Sequence, residues 1–255
     1  MLFRPDIPYS DRGDGRLCVD LFIPEGIPCR ATLIWFHGGG LEAGSRKDQD
    51  VLAETLCQSG IAMVSVEYRM YPEAAFPDFL VDCAEAVRWA RDHAAEYNLS
   101  GRLLVGGSSA GGYLTLMLCF DRQYLGMYGM EPEDIAAFLP DAGQPTKHFN
   151  VLKYGGEDSR RLIVDEAAPL YHIQDAHPDR PLLITVSDND MPCRLEQNRL
   201  LYATLRHFQY DMDKVELHVM EGYSHCGYTL AKDADGKSIY GQLVMDFLNR
   251  HVFGA

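Results

Sequence analysis

The chain has 255 residues, 47% of them hydrophobic and 24% charged, a composition that suits a folded domain with a sizeable core and excludes a disordered chain. Its formal net charge of −14 argues against nucleic acid and anionic membrane surfaces as partners, because both would be repelled. The length fits one domain, which we place over residues 1–255.

In the first half of the chain, short apolar runs that end at glycine or proline alternate with segments of helical periodicity. Leu80, Cys83, Ala84 and Val87, for example, recur at the spacing of one helix face. In chain order, the predicted elements are a strand over 16–23, a strand over 31–36, a helix over 48–59, a strand over 61–66, a helix over 79–97, a strand over 102–105 and a helix over 110–120.

The second half opens with a less regular stretch, residues 121–179, where we expect a small lid or a pocket-forming excursion. A strand over 135–139 is predicted within it, among loops and short helices. Regular alternation then returns, with strands predicted over 182–186 and 215–220 and helices over 193–208 and 238–251. This alternation predicts an α/β fold with a mostly parallel central sheet and helices on both of its faces.

The N-terminus and the cysteines indicate the compartment. The first residues carry no basic segment followed by an apolar core, so we see no signal peptide. No apolar run approaches the roughly 20 residues of a membrane span. The seven cysteines are odd in number and include no Cys-x-x-Cys pair, which favours reduced thiols over disulfides or a zinc site. We therefore expect a cytoplasmic protein.

A glycine-rich turn after the strand over 102–105 contains the pattern Gly-x-Ser-x-Gly. The pattern fits only as Gly107, Ser109 and Gly111, because Ala110 stands where a frame centred on Ser108 would need its last glycine. A nucleophile on a sharp strand-to-helix turn needs small residues on either side, since these approach each other closely. Ser109 is therefore the predicted nucleophile.

A second glycine-rich segment, His37-Gly38-Gly39-Gly40, follows the strand over 31–36. Attack on an ester carbonyl places negative charge on its oxygen, and backbone N–H groups aimed at that oxygen stabilise the charge. Those of Gly39, Gly40 and Ala110 are the predicted oxyanion hole. His37 is interpreted as an anchor of the loop and not as a base.

A nucleophilic serine needs a base, and the base needs an acid that orients it. His225 follows the last predicted strand, at the sheet edge where ligands bind in open parallel sheets. The acid should follow the preceding strand, where Asp188 and Asp190 compete; we favour Asp190 and keep Asp188 as the alternative. Seven other histidines fit less well, because they lie in predicted helices (His93, His207), in a strand (His218), near the terminus (His251) or in the irregular stretch (His148, His172, His177).

Together these motifs resemble those of the α/β-hydrolase superfamily, in particular its hormone-sensitive-lipase-like and related microbial esterase branches. Those families have a His-Gly-Gly-Gly loop, a Gly-Asp-Ser-Ala-Gly-Gly elbow, an acid in a Gly-x-x-Asp loop and a histidine near the C-terminus. The matching segments here are 37–40, 107–112, 187–190 and His225. The resemblance spans about residues 17–247 and supports Asp190, because Ser187 then takes the glycine position.

Two departures from those families matter. Ser108 stands where the lipase-like branch has aspartate, and there is no room ahead of His37 for that branch's long N-terminal cap. A compact esterase with a small cap or none therefore fits better. The segments 143–146 and 165–169 resemble those of compact bacterial acetylesterases and arylformamidase-like hydrolases.

The motifs and the resemblance imply a serine carboxylesterase that cleaves short-chain, acetyl-type esters of small molecules through an acyl-enzyme, without a metal or an organic cofactor. An arylformamidase resembling kynurenine formamidase is the alternative, and a peptidase is disfavoured for want of a propeller or another gating domain. A non-catalytic ligand-binding homologue is a third hypothesis, disfavoured because each triad member has a candidate. A homo-oligomer is left open.

The walls of the substrate pocket are expected to come mainly from residues 121–179 and from the loop after His37. A long apolar tunnel is the alternative, which residues of the irregular stretch would line: Leu125, Met127, Tyr128, Met130 and Phe138.

Overall fold

The computed structural model describes residues 1–12, 15–47, 49–174 and 178–254. Their strands are β1 (Leu2–Pro8), β2 (Cys18–Ile23), β3 (Ala31–Phe36), β4 (Ile61–Val66), β5 (Leu103–Ser108), β6 (Ile135–Asp141), β7 (Leu182–Asn189) and β8 (Val215–Ser224). Their α-helices are α1 (Asp50–Gln58), α2 (Asp78–Asp92), α3 (Ala110–Phe120), α4 (Arg122–Gly126), α5 (Phe149–Tyr154), α6 (Pro169–His172), α7 (Arg194–His207) and α8 (Ile239–Leu248).

These strands form one sheet in the order β1-β2-β4-β3-β5-β6-β7-β8. The six strands from β4 to β8 in that order are parallel to one another, whereas β2 pairs antiparallel with both β1 and β4. The carboxyl ends of the six parallel strands therefore meet at one edge. In open parallel sheets, the crevice at that edge is where ligands bind.

Helices cover both faces of the sheet, and β3 illustrates why its sequence is apolar throughout. Successive side chains of a strand point to opposite faces. Ile34 and Phe36 accordingly pack in the core on the side of α2 and α3, whereas Leu33 and Trp35 pack on the side of α1 and α8. This arrangement is the α/β-hydrolase fold and confirms the predicted fold class. Among the described helices, none is both long and apolar enough to cross a membrane.

The structure differs from the predicted elements mainly at their ends. The helix predicted over 79–97 is shorter in the structure, where α2 ends at Asp92. The apolar periodicity continues past that point because residues in the following turns, such as Ala94, still pack against the core. β7 and β8 run beyond their apolar segments, since Asn189 still pairs with Ser224. The predicted start of the helix over 48–59 lies outside the described residues, and α1 begins at Asp50.

Strand β1 was not predicted from the sequence. β1 is an edge strand with two prolines, and most of its side chains are exposed, so neither apolar alternation nor a buried run marks it. The irregular stretch holds β6 and the short helices α4, α5 and α6.

Candidate active site

Ser109 lies on the turn between β5 and α3, at the carboxyl edge of the sheet. Its φ of +56° is uncommon for a residue with a side chain. Two flanking glycines make this turn sterically feasible: a Cβ on Gly107 would lie 2.6 Å from the carbonyl carbon of Gly111, and a Cβ on Gly111 would lie 1.9 Å from the carbonyl oxygen of Phe36. The backbone N–H of Ser109 donates to the carbonyl of Asp141 at 2.7 Å, which fixes the turn against β6.

The Ser109 hydroxyl meets His225, the residue that follows β8. Nε2 of His225 lies 2.8 Å from Ser109 Oγ, and Nδ1 lies 2.6 Å from Asp190 Oδ1. With Nδ1 protonated and donating to Asp190, Nε2 is free to accept the serine proton. The structure thus brings together the three side chains that the sequence singled out as nucleophile, base and acid.

The Asp190 side chain is only 1% exposed, and its environment keeps it charged. Burial raises the pKa of this carboxyl, but the hydrogen bonds from His225 and from the backbone N–H of Met191, with the charge of Arg194, outweigh burial, and the pKa ends below its ordinary value. An ionised Asp190 orients the imidazole and would stabilise an imidazolium.

Asp188, the alternative acid, is exposed and has other partners. Its Oδ1 accepts hydrogen bonds from the backbone N–H of Gly222 at 2.9 Å and from the Asn189 side chain at 3.0 Å. These contacts tie the end of β7 to β8. Of the two candidates, it is Asp190 whose carboxylate contacts His225.

The glycine-rich loop after β3 presents free N–H groups beside Ser109. Within the described part of the chain, the N–H groups of Gly39 and Gly40 donate to no other group, and both residues line the same cavity as Ser109. Only glycine fits at Gly39, where φ is +113° and a Cβ would lie 1.9 Å from the Ala43 carbonyl oxygen. Ala110 begins α3, so its N–H belongs to the unpaired first turn of that helix. These donors are suited to holding an oxyanion.

His37 lies under this loop and holds it in place. Its side chain is 2% exposed, and its ring stacks on Tyr68 with centroids 4.4 Å apart. The Tyr68 hydroxyl donates to the His37 carbonyl at 2.8 Å, and Nδ1 of His37 lies 2.7 Å from the Gly38 carbonyl oxygen. These contacts agree with an anchoring role for His37.

Sequence reasoning missed Asp141, at the end of β6. Its side chain is fully buried and accepts hydrogen bonds from the Ser108 hydroxyl at 2.5 Å and from the Tyr228 hydroxyl. Burial raises its pKa to about 6, although those two hydrogen bonds and the nearby His225 act in the opposite direction. Asp141 therefore holds Ser108 and, through its backbone carbonyl, Ser109. An aspartate that follows a predicted strand at the ligand-binding edge was the available signal.

The site opens into a cavity of about 560 Å³. The loop after His37 contributes to its wall, as expected, but of the residues that the structure describes between 121 and 179, only Phe149 and Asn150 contribute. Trp35 of β3 also lines the cavity, and more of the wall comes from the beginning of α1 and from the segments after β7 and β8: Gln49, Val51, Leu52, Met191, Cys226, Thr229 and Leu230. The expectation that the irregular stretch forms the main wall was therefore wrong.

The five residues considered for an apolar tunnel lie elsewhere. Leu125, Met130 and Phe138 are buried in the core on the α3 side of the sheet, Tyr128 packs against that core, and Met127 is exposed. They do not line the cavity.

The other histidines also have separate environments. His93 and His207 lie at the ends of α2 and α7, His218 and His251 both contact Glu216, and His148 caps α5. His172 lies 3.4 Å from Asp121. His177 lies outside the described residues.

Comparison with protein families gives two matches. The model of the prolyl oligopeptidase family matches residues 76–254, and the BD-FAE model matches residues 19–131.

Several similar proteins are named as ester hydrolases. The carboxylic ester hydrolase LipN of Mycobacterium tuberculosis is 36% identical over 99 residues, which are 38% of this chain and 26% of LipN. The arylesterase of Saccharolobus solfataricus is 34% identical over 40% of this chain and 34% of that enzyme. The ethyl acetate hydrolase of Pseudomonas putida is 28% identical over 86% of this chain and 74% of that protein. The alignments to LipN and the arylesterase thus span about a third or less of those proteins' lengths.

Solved structures share the fold over nearly the whole chain. Thermogutta terrifontis esterase 2 with bound propionate superposes with a TM-score of 0.78 at 20% identity, covering 98% of this chain and 94% of that one. A truncated carbohydrate esterase from gut microbiota gives a TM-score of 0.78 at 18% identity, covering 98% and 96%. At these identities the likeness establishes the fold.

Proposed function

The chain belongs to the prolyl oligopeptidase family, and from that premise and the geometry of its site we propose that it is a serine carboxylesterase acting on short-chain, acetyl-type esters of small molecules. The observation that carries the proposal is the alignment of Ser109, His225 and Asp190, with contacts of 2.8 and 2.6 Å, beside unpaired backbone N–H groups in an open cavity. The names of the similar proteins support an ester over a peptide or an N-formyl amide.

The reaction proceeds in two acyl-transfer steps. Nε2 of His225 accepts the Ser109 proton as Oγ attacks the ester carbonyl, and the N–H groups of Gly39, Gly40 and Ala110 hold the resulting oxyanion. The tetrahedral intermediate collapses, the alcohol leaves with the proton from His225, and an acyl-enzyme remains. Water then gives a proton to His225, attacks the acyl carbon and releases the acid, and Ser109 recovers its proton.

The lining of the cavity supports the proposed preference for short acyl groups. Its apolar part is bounded by Trp35, Val51, Leu52 and Leu230. Trp35 is 1% exposed and packs against Tyr240, so it closes the cavity toward the core. These apolar side chains give the methyl and methylene groups of a short acyl chain a surface to contact.

A labelling experiment tests the proposal. The purified protein is treated with a fluorophosphonate probe and assayed with p-nitrophenyl acetate, N-formylkynurenine and a proline p-nitroanilide. Wild type should label and prefer the ester; Ser109→Ala should lose the label and about a millionfold in turnover. Ser108→Ala, the matched control, should keep the label. A wild-type protein that neither labels nor cleaves the ester would contradict the proposal. Faster cleavage of either amide than of the ester would show that the substrate is an amide and not an ester.

A further inference from the structure

α5 contacts the oxyanion loop through one side chain, Asn150. Its Nδ2 donates to the Gly40 carbonyl at 2.5 Å and to Glu42 Oε2 at 2.8 Å. Both hydrogens of the Asn150 side-chain amide are therefore bonded to the oxyanion loop. Asn150 is 3% exposed. Because the Gly40 carbonyl meets a buried donor from another element, the path of this loop depends on α5.

The position of Asn150 is itself fixed by His148, which caps the first turn of α5. Nδ1 of His148 accepts the backbone N–H of Asn150 at 3.2 Å. Burial lowers the pKa of His148 well below its ordinary value, which keeps the ring neutral and Nδ1 available as an acceptor. The His148 ring also stacks on Phe149, with centroids 4.3 Å apart. Asn150 therefore points at Gly40 from a rigid support.

We propose that Asn150 is a positioning residue for the oxyanion hole; this inference rests on the proposed function. Oxyanion stabilisation depends on donors that are already oriented before the reaction. Gly40 has a φ of +68° and lies in a run of glycines, which by themselves have wide conformational freedom. The hydrogen bond from Asn150 holds the peptide plane between Gly40 and Leu41, which meets the plane carrying the Gly40 N–H at the Gly40 Cα. The Gly39 carbonyl of that second plane accepts from the backbone N–H groups of Glu42 and Ala43. With the second plane held in this way, the contact from Asn150 limits rotation at Gly40 and so supports the orientation of its N–H.

Glu42 offers a matched control, because its two carboxylate oxygens have different partners. Oε2 accepts from Asn150, whereas Oε1 accepts from Lys153 at 2.6 Å and from the Tyr154 hydroxyl at 2.8 Å. Tyr154 is 42% exposed and does not line the cavity around Ser109. Tyr154→Phe therefore loosens the outer part of the same network and leaves the contact between Asn150 and Gly40 in place.

Two variants remove the donor to Gly40 in different ways. Asn150→Ala deletes it. The exchange Glu42→Gln with Asn150→Asp preserves side-chain volume and net charge and reverses the hydrogen bond between the two positions, but aspartate has no proton to give to the Gly40 carbonyl. If Asn150→Ala fails to fold, the exchange variant still decides the question.

Three quantities are measured: kcat and KM for p-nitrophenyl acetate, the inhibition constant of phenylboronic acid, and the thermal unfolding midpoint. Phenylboronic acid is included because it forms a tetrahedral adduct with a nucleophilic serine. Loss of one oxyanion-hole donor typically costs about 10²- to 10³-fold in kcat; for a displaced donor we expect about 10- to 100-fold in both variants. KM should change less than about threefold, and boronate binding should weaken in parallel with kcat. Tyr154→Phe should remain within about twofold of wild type.

Equal kcat in wild type and the exchange variant would overturn the inference, as would a loss confined to KM with boronate binding unchanged. An equal kcat loss in Tyr154→Phe would also overturn it, because the effect would then belong to the Glu42 network as a whole. A wild type that hydrolyses no ester overturns the proposed function and this inference with it. An active wild type that is insensitive to Asn150 overturns this inference alone.

Discussion

Two aspartates near the end of β7 differ in which group each carboxylate meets. The Asp190 carboxylate accepts a hydrogen bond from His225 Nδ1, whereas the Asp188 carboxylate accepts one from the backbone N–H of Gly222. We expect Asp190→Asn to lower kcat by about ten-thousandfold, because an amide in this place favours the wrong imidazole tautomer. Asp188→Asn, the same change two residues away, should cost less than about tenfold. The kcat values of the two variants on p-nitrophenyl acetate check this.

Comparable activity of wild type and Asp190→Asn would instead assign the acid to another carboxylate. A large loss in Asp188→Asn alone would point to Asp188, the alternative left open by the sequence.

Asp141 gives the protein a pH dependence of its own. Its pKa rises from 3.8 to about 6 on folding, chiefly through burial. The native state therefore binds the proton more tightly than the unfolded chain, so the contribution of Asp141 to stability is full below about pH 4 and is lost as the pH rises through 6. At about 1.4 kcal/mol per unit, the change is about 3 kcal/mol.

This effect is measured as the difference in free energy of unfolding between wild type and Asp141→Asn, from urea denaturation at pH 4 and pH 7. Asparagine does not titrate, so the difference should move by about 2 kcal/mol in favour of the variant between these two pH values, because the unfolded chain is already partly ionised at pH 4. Parallel stability curves for the two proteins would show that Asp141 does not titrate in this range.

The contact between β3 and α3 sets how closely the nucleophile approaches the oxyanion loop. Alanine is normally favoured over glycine within a helix by about 1 kcal/mol. At Gly111, however, the added Cβ would lie 1.9 Å from the Phe36 carbonyl oxygen. We expect Gly111→Ala to lower the free energy of unfolding by at least about 3 kcal/mol, because the helix must move away from β3.

Gly101 provides the control, since a Cβ there has no atom within 4 Å. Gly101→Ala should stay within about 0.5 kcal/mol of wild type in urea denaturation. Similar stability of the two variants would mean that α3 adjusts to Gly111→Ala at little cost.

Strands β3 and β4 were predictable to the residue because both are buried on two faces and therefore form unbroken apolar runs. The proximity of Ser109 and His225 was predictable because each directly follows a strand that could be recognised in the sequence. The sequence places Asp141 after a predicted strand at the ligand-binding edge, but its contact with Tyr228 could not be predicted. The contact of Asn150 with Gly40 could not be predicted either, because both contacts join segments far apart in the chain. Hydrophobic periodicity carries no information about such contacts.

The cavity wall bears on the proposed preference for short acyl groups. Among the described residues of the stretch 121–179, Phe149 and Asn150 alone line the cavity, and the five residues considered for a tunnel lie elsewhere. Each buried methylene contributes about 0.8 kcal/mol, but only while it finds apolar surface. We expect kcat/KM to peak between acetyl and butyryl p-nitrophenyl esters and to fall for octanoyl and longer. A value that still rises at decanoyl would require apolar surface beyond the present wall.

The reacting groups and the cavity wall come largely from different segments. Ser109, His225 and Asp190 directly follow strands or lie within a residue of one, whereas Val51, Thr229 and Leu230 belong to a helix start and a loop. Under the proposed esterase function, substitutions at the wall can therefore change which ester is accepted without altering the proposed reacting groups. α5 is the exception, because it contributes to the wall and also contacts Gly40. Lineages that acquire new substrates should diversify at the wall positions of α1 and of residues 229–230 while Asn150 stays constant.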